Sequence, residues 1–189
     1  MSGKDDLGPL PVEDWDAALG PLLNDMRGRP LKIHALMANH PELLKSWWSL
    51  RAYVVVGGDL EPRERELVIL AVAAHLKSWY EWAAHVERGL DAGLTLEEIE
   101  RVKAGAGAEG WSDRDRALLR AAEDCIVHQR MATATLAEAR AHFTHRQLLD
   151  VIVIQGLYMI VGAILGTWPQ EPDAFVQLPE GYERDPDFA

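Results

Sequence analysis

The chain has 189 residues, 48% of them hydrophobic and 26% charged, with a formal net charge of -11. That composition suits one soluble domain with a sizeable core, and the acidity argues against nucleic acid or an anionic membrane surface as a partner. The lone cysteine, Cys125, excludes an intramolecular disulfide framework and fits a reducing, cytoplasmic setting.

No basic-then-apolar stretch opens the chain, so no secretory leader is expected. Residues 1–11 are rich in Gly, Pro and charge and read as a flexible N-terminal arm. Over 12–26, Trp15, Ala18, Leu19, Leu22 and Leu23 share one face of a first helix, which 27–30 breaks. A short helix is expected over 31–38. Asn39 is then the predicted N-cap of a helix over 41–56, with Pro41 in its first turn and Gly57 and Gly58 at its end. Trp47, Trp48 and Tyr53 on that helix read as core residues, or one of these rings closes a ligand pocket, with Trp48 the substrate-binding candidate.

Residues 66–76 are almost entirely apolar and predict a central helix buried on all sides. It is entered through Glu61-Pro62-Arg63-Glu64, which places carboxylates at the positive end of the helix, so Glu64 and Glu66 have a structural role available. Beyond Lys77, the residues Ser78, Glu81, Trp82 and His85 fall at i, i+3, i+4 and i+7 on one face. A carboxylate one turn from an imidazole can hold one tautomer and raise its basicity, as a general acid/base requires. The same spacing also serves an ordinary surface pair. The neighbouring tryptophans and Tyr80 favour a pocket wall.

Ala92-Gly93 stops this segment, and Thr95-x-x-Glu98 is a capping box for a helix to about residue 103. Ser112 caps a helix over 113–128, Thr133 or Thr135 starts another to about 142, and Thr144-x-x-Gln147 caps a long apolar helix to 165. The apolar run 151–165 is too short to span a bilayer and reads as the central core helix. No stretch alternates as a strand does, so the expected fold is all-α, with one domain over 12–168. The tail, 169–189, carries prolines but also Phe175, Val176, Leu178, Tyr182 and Phe188, which predicts a strap over its own subunit or a neighbour.

Seven histidines invite a metal, yet no second histidine stands one turn from His85, and neither metal nor cofactor is expected. Phosphate loops, nucleophile elbows and nucleotide fingerprints are absent from the sequence.

The order Arg63, Glu64, Arg65, Glu66, Leu67, then Tyr80-Glu81-Trp82, His85 and Ala92-Gly93-Leu94 resembles the carboxymuconolactone decarboxylase and alkylhydroperoxidase D (AhpD-like) superfamily. The likeness extends over residues 33–168, with Asn39-His40-Pro41-Glu42 upstream and Gly156-Leu157-Tyr158 downstream. The peroxidase branch places a glutamate, a Cys-x-x-Cys pair and a histidine where this chain has Glu66, Ser78, Glu81 and His85. Both thiols are therefore missing, which argues against a thiol peroxidase.

The resemblance implies an AhpD-like helical bundle and a decarboxylase-type, cofactor-independent acid/base enzyme. Its substrate would be a small carbonyl- or lactone-containing organic acid. Isomerisation, dehydration or cyclisation would use the same groups, and a non-catalytic binding or assembly module is the alternative of another class. In the catalytic reading His85 is the acid/base, Glu81 orients it, and Glu66 is a second carboxylate raised by burial. Ser78, Tyr80, Trp82, Tyr158 and Trp48 are substrate-binding candidates, and the resemblance adds His128. It also implies a homo-oligomer, trimer or hexamer.

Overall fold

The computed structural model describes residues 7–188 of the 189. Among these the chain forms nine α-helices and no strand: α1 Gly20–Asp25, α2 Lys32–Met37, α3 Pro41–Ala52, α4 Pro62–Leu76, α5 Trp79–Asp91, α6 Leu96–Val102, α7 Asp113–His128, α8 Thr133–Ala139 and α9 His145–Thr167.

The hub is α4. Its residues from Glu66 to Ala73 are all buried, and it packs against α9, α5 and α7. Its entry is fixed by charge. Glu64 returns to the Glu61 amide and also pairs with Arg114 Nε at 2.6 Å. Arg63 holds Asp115 of α7 at 2.7 Å and Glu98 of α6 at 2.6 Å. Glu64 thus takes the structural role that the sequence allowed to either glutamate, leaving Glu66 for another purpose.

The long helix α9 is not the centre. It spans 23 residues, with a mean hydropathy of 2.2 over its most apolar 18-residue window, longer than the apolar run in the sequence indicates and enough by length and composition to cross a membrane. One side packs on α4 and α7, and Gly162 admits the Leu76 side chain where any Cβ would collide with it. The other side leaves Leu149, Ile152 and Ile160 exposed.

Local capping shifts several boundaries. His40, not Asn39, caps α3, accepting from Leu43 N, while the Asn39 amide donates to the carbonyls of Gly8 and Leu36. The expected first helix is two 3₁₀ turns and one short α-helix, because Pro21 sits at a new helix start. A π-helical turn, Tyr53–Gly57, ends the expected 41–56 helix. Most of the expected arm, residues 1–6, lies outside the described residues. Leu10 is tied to Ala35 through a 2.9 Å backbone bond.

Lys77 adopts a left-handed conformation with φ 51°, which ends α4 and lets α5 fold back along it. The resulting helical hairpin brings two residues 19 apart, Glu66 and His85, into contact. Beyond α9 the tail runs back over the bundle. Tyr80 donates to Asp173, whose other oxygen accepts from Lys32 N at 3.1 Å. Trp82 Nε1 donates to the Tyr182 hydroxyl at 2.8 Å, which in turn donates to Glu100. Phe188 packs on the Trp82 ring. In this structure the strap lies on its own subunit.

Candidate functional site

The face of α5 that carries Glu81, Ala84, His85 and Arg88, at i, i+3, i+4 and i+7, lines a small cavity. Tyr158 and Leu157 of α9, Trp47 and Arg51 of α3 and His34 of α2 add walls, and Asp173 and Val176 of the tail close it. The inner space measures about 40 Å³. It meets an outer chamber of about 360 Å³, which shares Leu31, His34, Arg51 and Arg88 with it.

His85 is 1% exposed and held at both nitrogens. Its Nδ1 lies 2.6 Å from Glu66 Oε2, and its Nε2 lies 3.0 Å from Arg88 Nη1. A guanidinium can only donate, so Nε2 accepts; the proton therefore sits on Nδ1 and is donated to Glu66. The Nε2 lone pair thus faces Arg88. The edge of Tyr158 adds a T-shaped contact at 5.1 Å.

This assigns the two glutamates the opposite roles from those read in the sequence. Burial pushes the Glu66 carboxyl up, but the adjoining His85 and then Arg88 outweigh it and hold it below its usual value. Glu66 is thus the ionised group that orients His85. Glu81 Oε2 is 3.6 Å from His85 Nε2, beyond a hydrogen bond, and burial drives its carboxyl above the usual range. Glu81 is the carboxyl favoured to carry a proton.

Tyr80 and Tyr158 both line the cavity, as expected. Burial raises both phenols, with Asp173 adding to the effect at Tyr80 and Glu81 at Tyr158, so both remain protonated donors. Trp48 lies in the outer chamber, its indole bonded to Asp25 at 3.1 Å and its face under Arg51.

Three expected residues are elsewhere. Ser78 precedes α5 as its N-cap and borders a separate groove with Gly166 and Pro169. Trp82 is one residue, about 100°, around α5 from Glu81 and points to the tail, fully buried. His128 is exposed at the end of α7. Cys125 is buried, and burial raises its thiol, so it lacks the character of a reactive thiolate.

Arg88, Arg51, His34 and Asp173 line the site without having been expected there, and Trp47 is the ring of α3 on the inner wall. Arg88 was findable, since it continues the Glu81/His85 face by one turn. His34 is buried, and desolvation followed by Arg51 and Arg88 lowers its pKa to about 3, so it is neutral. No three His, Cys, Asp or Glu side chains among the described residues group as a metal site would require.

Fold and site together define an all-helical protein with a buried glutamate–histidine pair at the base of a pocket. Residues 41–124 match the carboxymuconolactone decarboxylase family, and that span contains Glu66, Glu81 and His85. The AhpD core of a peroxidase-related protein from Ralstonia eutropha is similar in structure, with a TM-score of 0.74 and 18% identity, covering 89% of this chain and 93% of that one. A peroxidase-related protein from Silicibacter gives a TM-score of 0.73 at 17% identity, covering 93% and 97%. The debrominase Bmp8, in complex with 2,3,4-tribromopyrrole, gives 0.75 at 11%, covering 92% and 94%. No curated protein is a significant match. The fold is therefore AhpD-like, and residues 41–124 carry the carboxymuconolactone decarboxylase match without a Cys-x-x-Cys pair.

Proposed function

We propose that the protein is a cofactor-independent acid/base enzyme acting beside the carbonyl of a small organic acid, most simply a carboxymuconolactone decarboxylase-like lyase. The observation that carries this reading is the buried Glu66–His85 pair, with the basic nitrogen of His85 on the wall of a cavity. In a decarboxylation the bond from carbon to the carboxylate breaks, carbon dioxide leaves, and the electron pair passes into the carbonyl as an enolate. Tyr158, kept protonated by burial, would donate to the enolate oxygen. Glu81, favoured in its neutral form, would return a proton to carbon, and His85 Nε2, after taking a proton from water, would pass it on to reload Glu81. Isomerisation, dehydration and cyclisation need the same base, acid and oxyanion donor.

A binding or assembly module would fill the pocket with Trp79 and Trp82. Neither residue lines the cavity, which favours the catalytic reading. The test is a turnover screen of small keto acids and lactones, run with wild type and His85→Ala. Loss of turnover by about two to four orders of magnitude in a folded variant is the expected result; turnover unchanged by the substitution would overturn the mechanism.

A further inference from the structure

The neck joining the two chambers holds an excess of donors. The guanidiniums of Arg51 and Arg88 both face it, yet neither has a carboxylate partner among the described residues. Arg88 bonds His85 Nε2, and Arg51 lies 4.6 Å over the Trp48 ring. Burial, with Arg88 adding to it, lowers the Arg51 pKa, so the site holds a cation that lacks compensation. Beside them stands Trp47, 8% exposed and on the cavity wall. Its Nε1 is the one buried side-chain nitrogen or oxygen among the described residues without a hydrogen-bond partner. A buried orphan donor costs the fold and returns nothing to it unless a ligand supplies the acceptor. Trp47 and Arg51 are one turn apart on α3, so a single group can reach both.

We propose that this neck is a carboxylate-binding subsite, in which Arg51 and Arg88 take the oxygens of the anion and Trp47 Nε1–H donates a further bond. The proposal rests on the reading of the cavity as a substrate site and names the group that the site recognises. Planar guanidiniums match a planar carboxylate. The 40 Å³ of inner space holds about three waters, comparable to the three heavy atoms of a carboxylate and too little for a phosphoryl group. Local cations are also what an anionic substrate needs on a chain of net charge -11. Occupation by an anion would draw Arg88 toward it and release the His85 lone pair.

Calorimetric titration tests the subsite directly, with levulinate, its neutral amide and inorganic phosphate as probes. Levulinate is expected to bind wild type more tightly than either other probe. Arg51→Gln should weaken levulinate at least tenfold and Trp47→Phe about fivefold, with amide binding unchanged in both. Trp47→Phe removes part of a buried ring, so its urea midpoint is measured alongside to show that the variant is folded at the binding temperature. Levulinate binding that is absent, unaffected by Arg51→Gln, or no tighter than that of the amide or phosphate would overturn the subsite. Binding as expected without turnover of any acid would leave the subsite standing and remove the proposed reaction, so the two failures are distinguishable.

Discussion

Glu66 on α4 and His85 on α5 are 2.6 Å apart across a helical hairpin, and this contact fixes the tautomer of the only histidine on the inner face of α5. Glu66→Gln replaces an acceptor-only group by an amide able to donate to Nδ1, which favours the opposite tautomer. We expect kcat to fall by about 10²–10⁴, with the circular dichroism spectrum unchanged. Activity within about threefold of wild type would mean that Glu66 does not set the state of His85.

Glu81 predicts a pH-dependent stability difference. Burial raises its folded-state carboxyl above the ordinary value of 4.5, so its contribution to stability is full below that value and is lost as pH rises through the raised value. Glu81→Gln is not subject to this loss. Urea midpoints should therefore show an advantage for the variant that grows as pH increases from 4.5 and then levels off. An advantage independent of pH would point to packing instead of ionisation.

His34 acts in the opposite direction. Its pKa is lowered from 6.5 to about 3 by burial and then by Arg51 and Arg88, so stability present above 6.5 is lost as pH falls toward 3. The full effect is at most about 5 kcal/mol, from about 1.4 kcal/mol per pKa unit. His34→Gln should flatten the decline in urea midpoint between pH 6.5 and 4. A slope identical to wild type would exclude His34 as the linked group.

Self-association is the expected use of the outer face of α9. Leu149, Ile152 and Ile160 are 61%, 45% and 50% exposed and fall at i, i+3 and i+11, with Gly156 between them offering no side chain to obstruct a partner helix. Light scattering after size exclusion should give an oligomeric mass for wild type and a monomeric one for Ile152→Glu. A monomeric wild type would refute this use of the face.

The fold was legible because it is written locally. Thr95-x-x-Glu98, Ser112 and Thr144-x-x-Gln147 cap the helices that they predict, and the unbroken apolar run after Glu66 marks the buried hub. The α5 half of the site was legible for the same reason, since Glu81 and His85 follow helical spacing. What the spacing did not reveal was which glutamate faces which nitrogen of His85. That depends on the turn at Lys77, a non-glycine residue at positive φ. Trp82 was misplaced because its partner, Tyr182, is 100 residues away, and no local pattern reports such a bond. Arg51 and Asp173 escaped notice for that reason too: they belong to the site through tertiary contacts alone.

The bond from Lys32 N to Asp173 spans 141 residues of sequence, and Tyr80 meets the same carboxylate. The cavity wall therefore cannot be completed until well after the helices that carry Glu66 and His85 have been synthesised. A ribosome-bound chain that has already formed α4 and α5, with Glu66 against His85, still presents an open trench where Asp173 and Val176 belong. Competence would then appear abruptly when residues 173–176 leave the exit tunnel, long after the helices that carry the chemistry have folded.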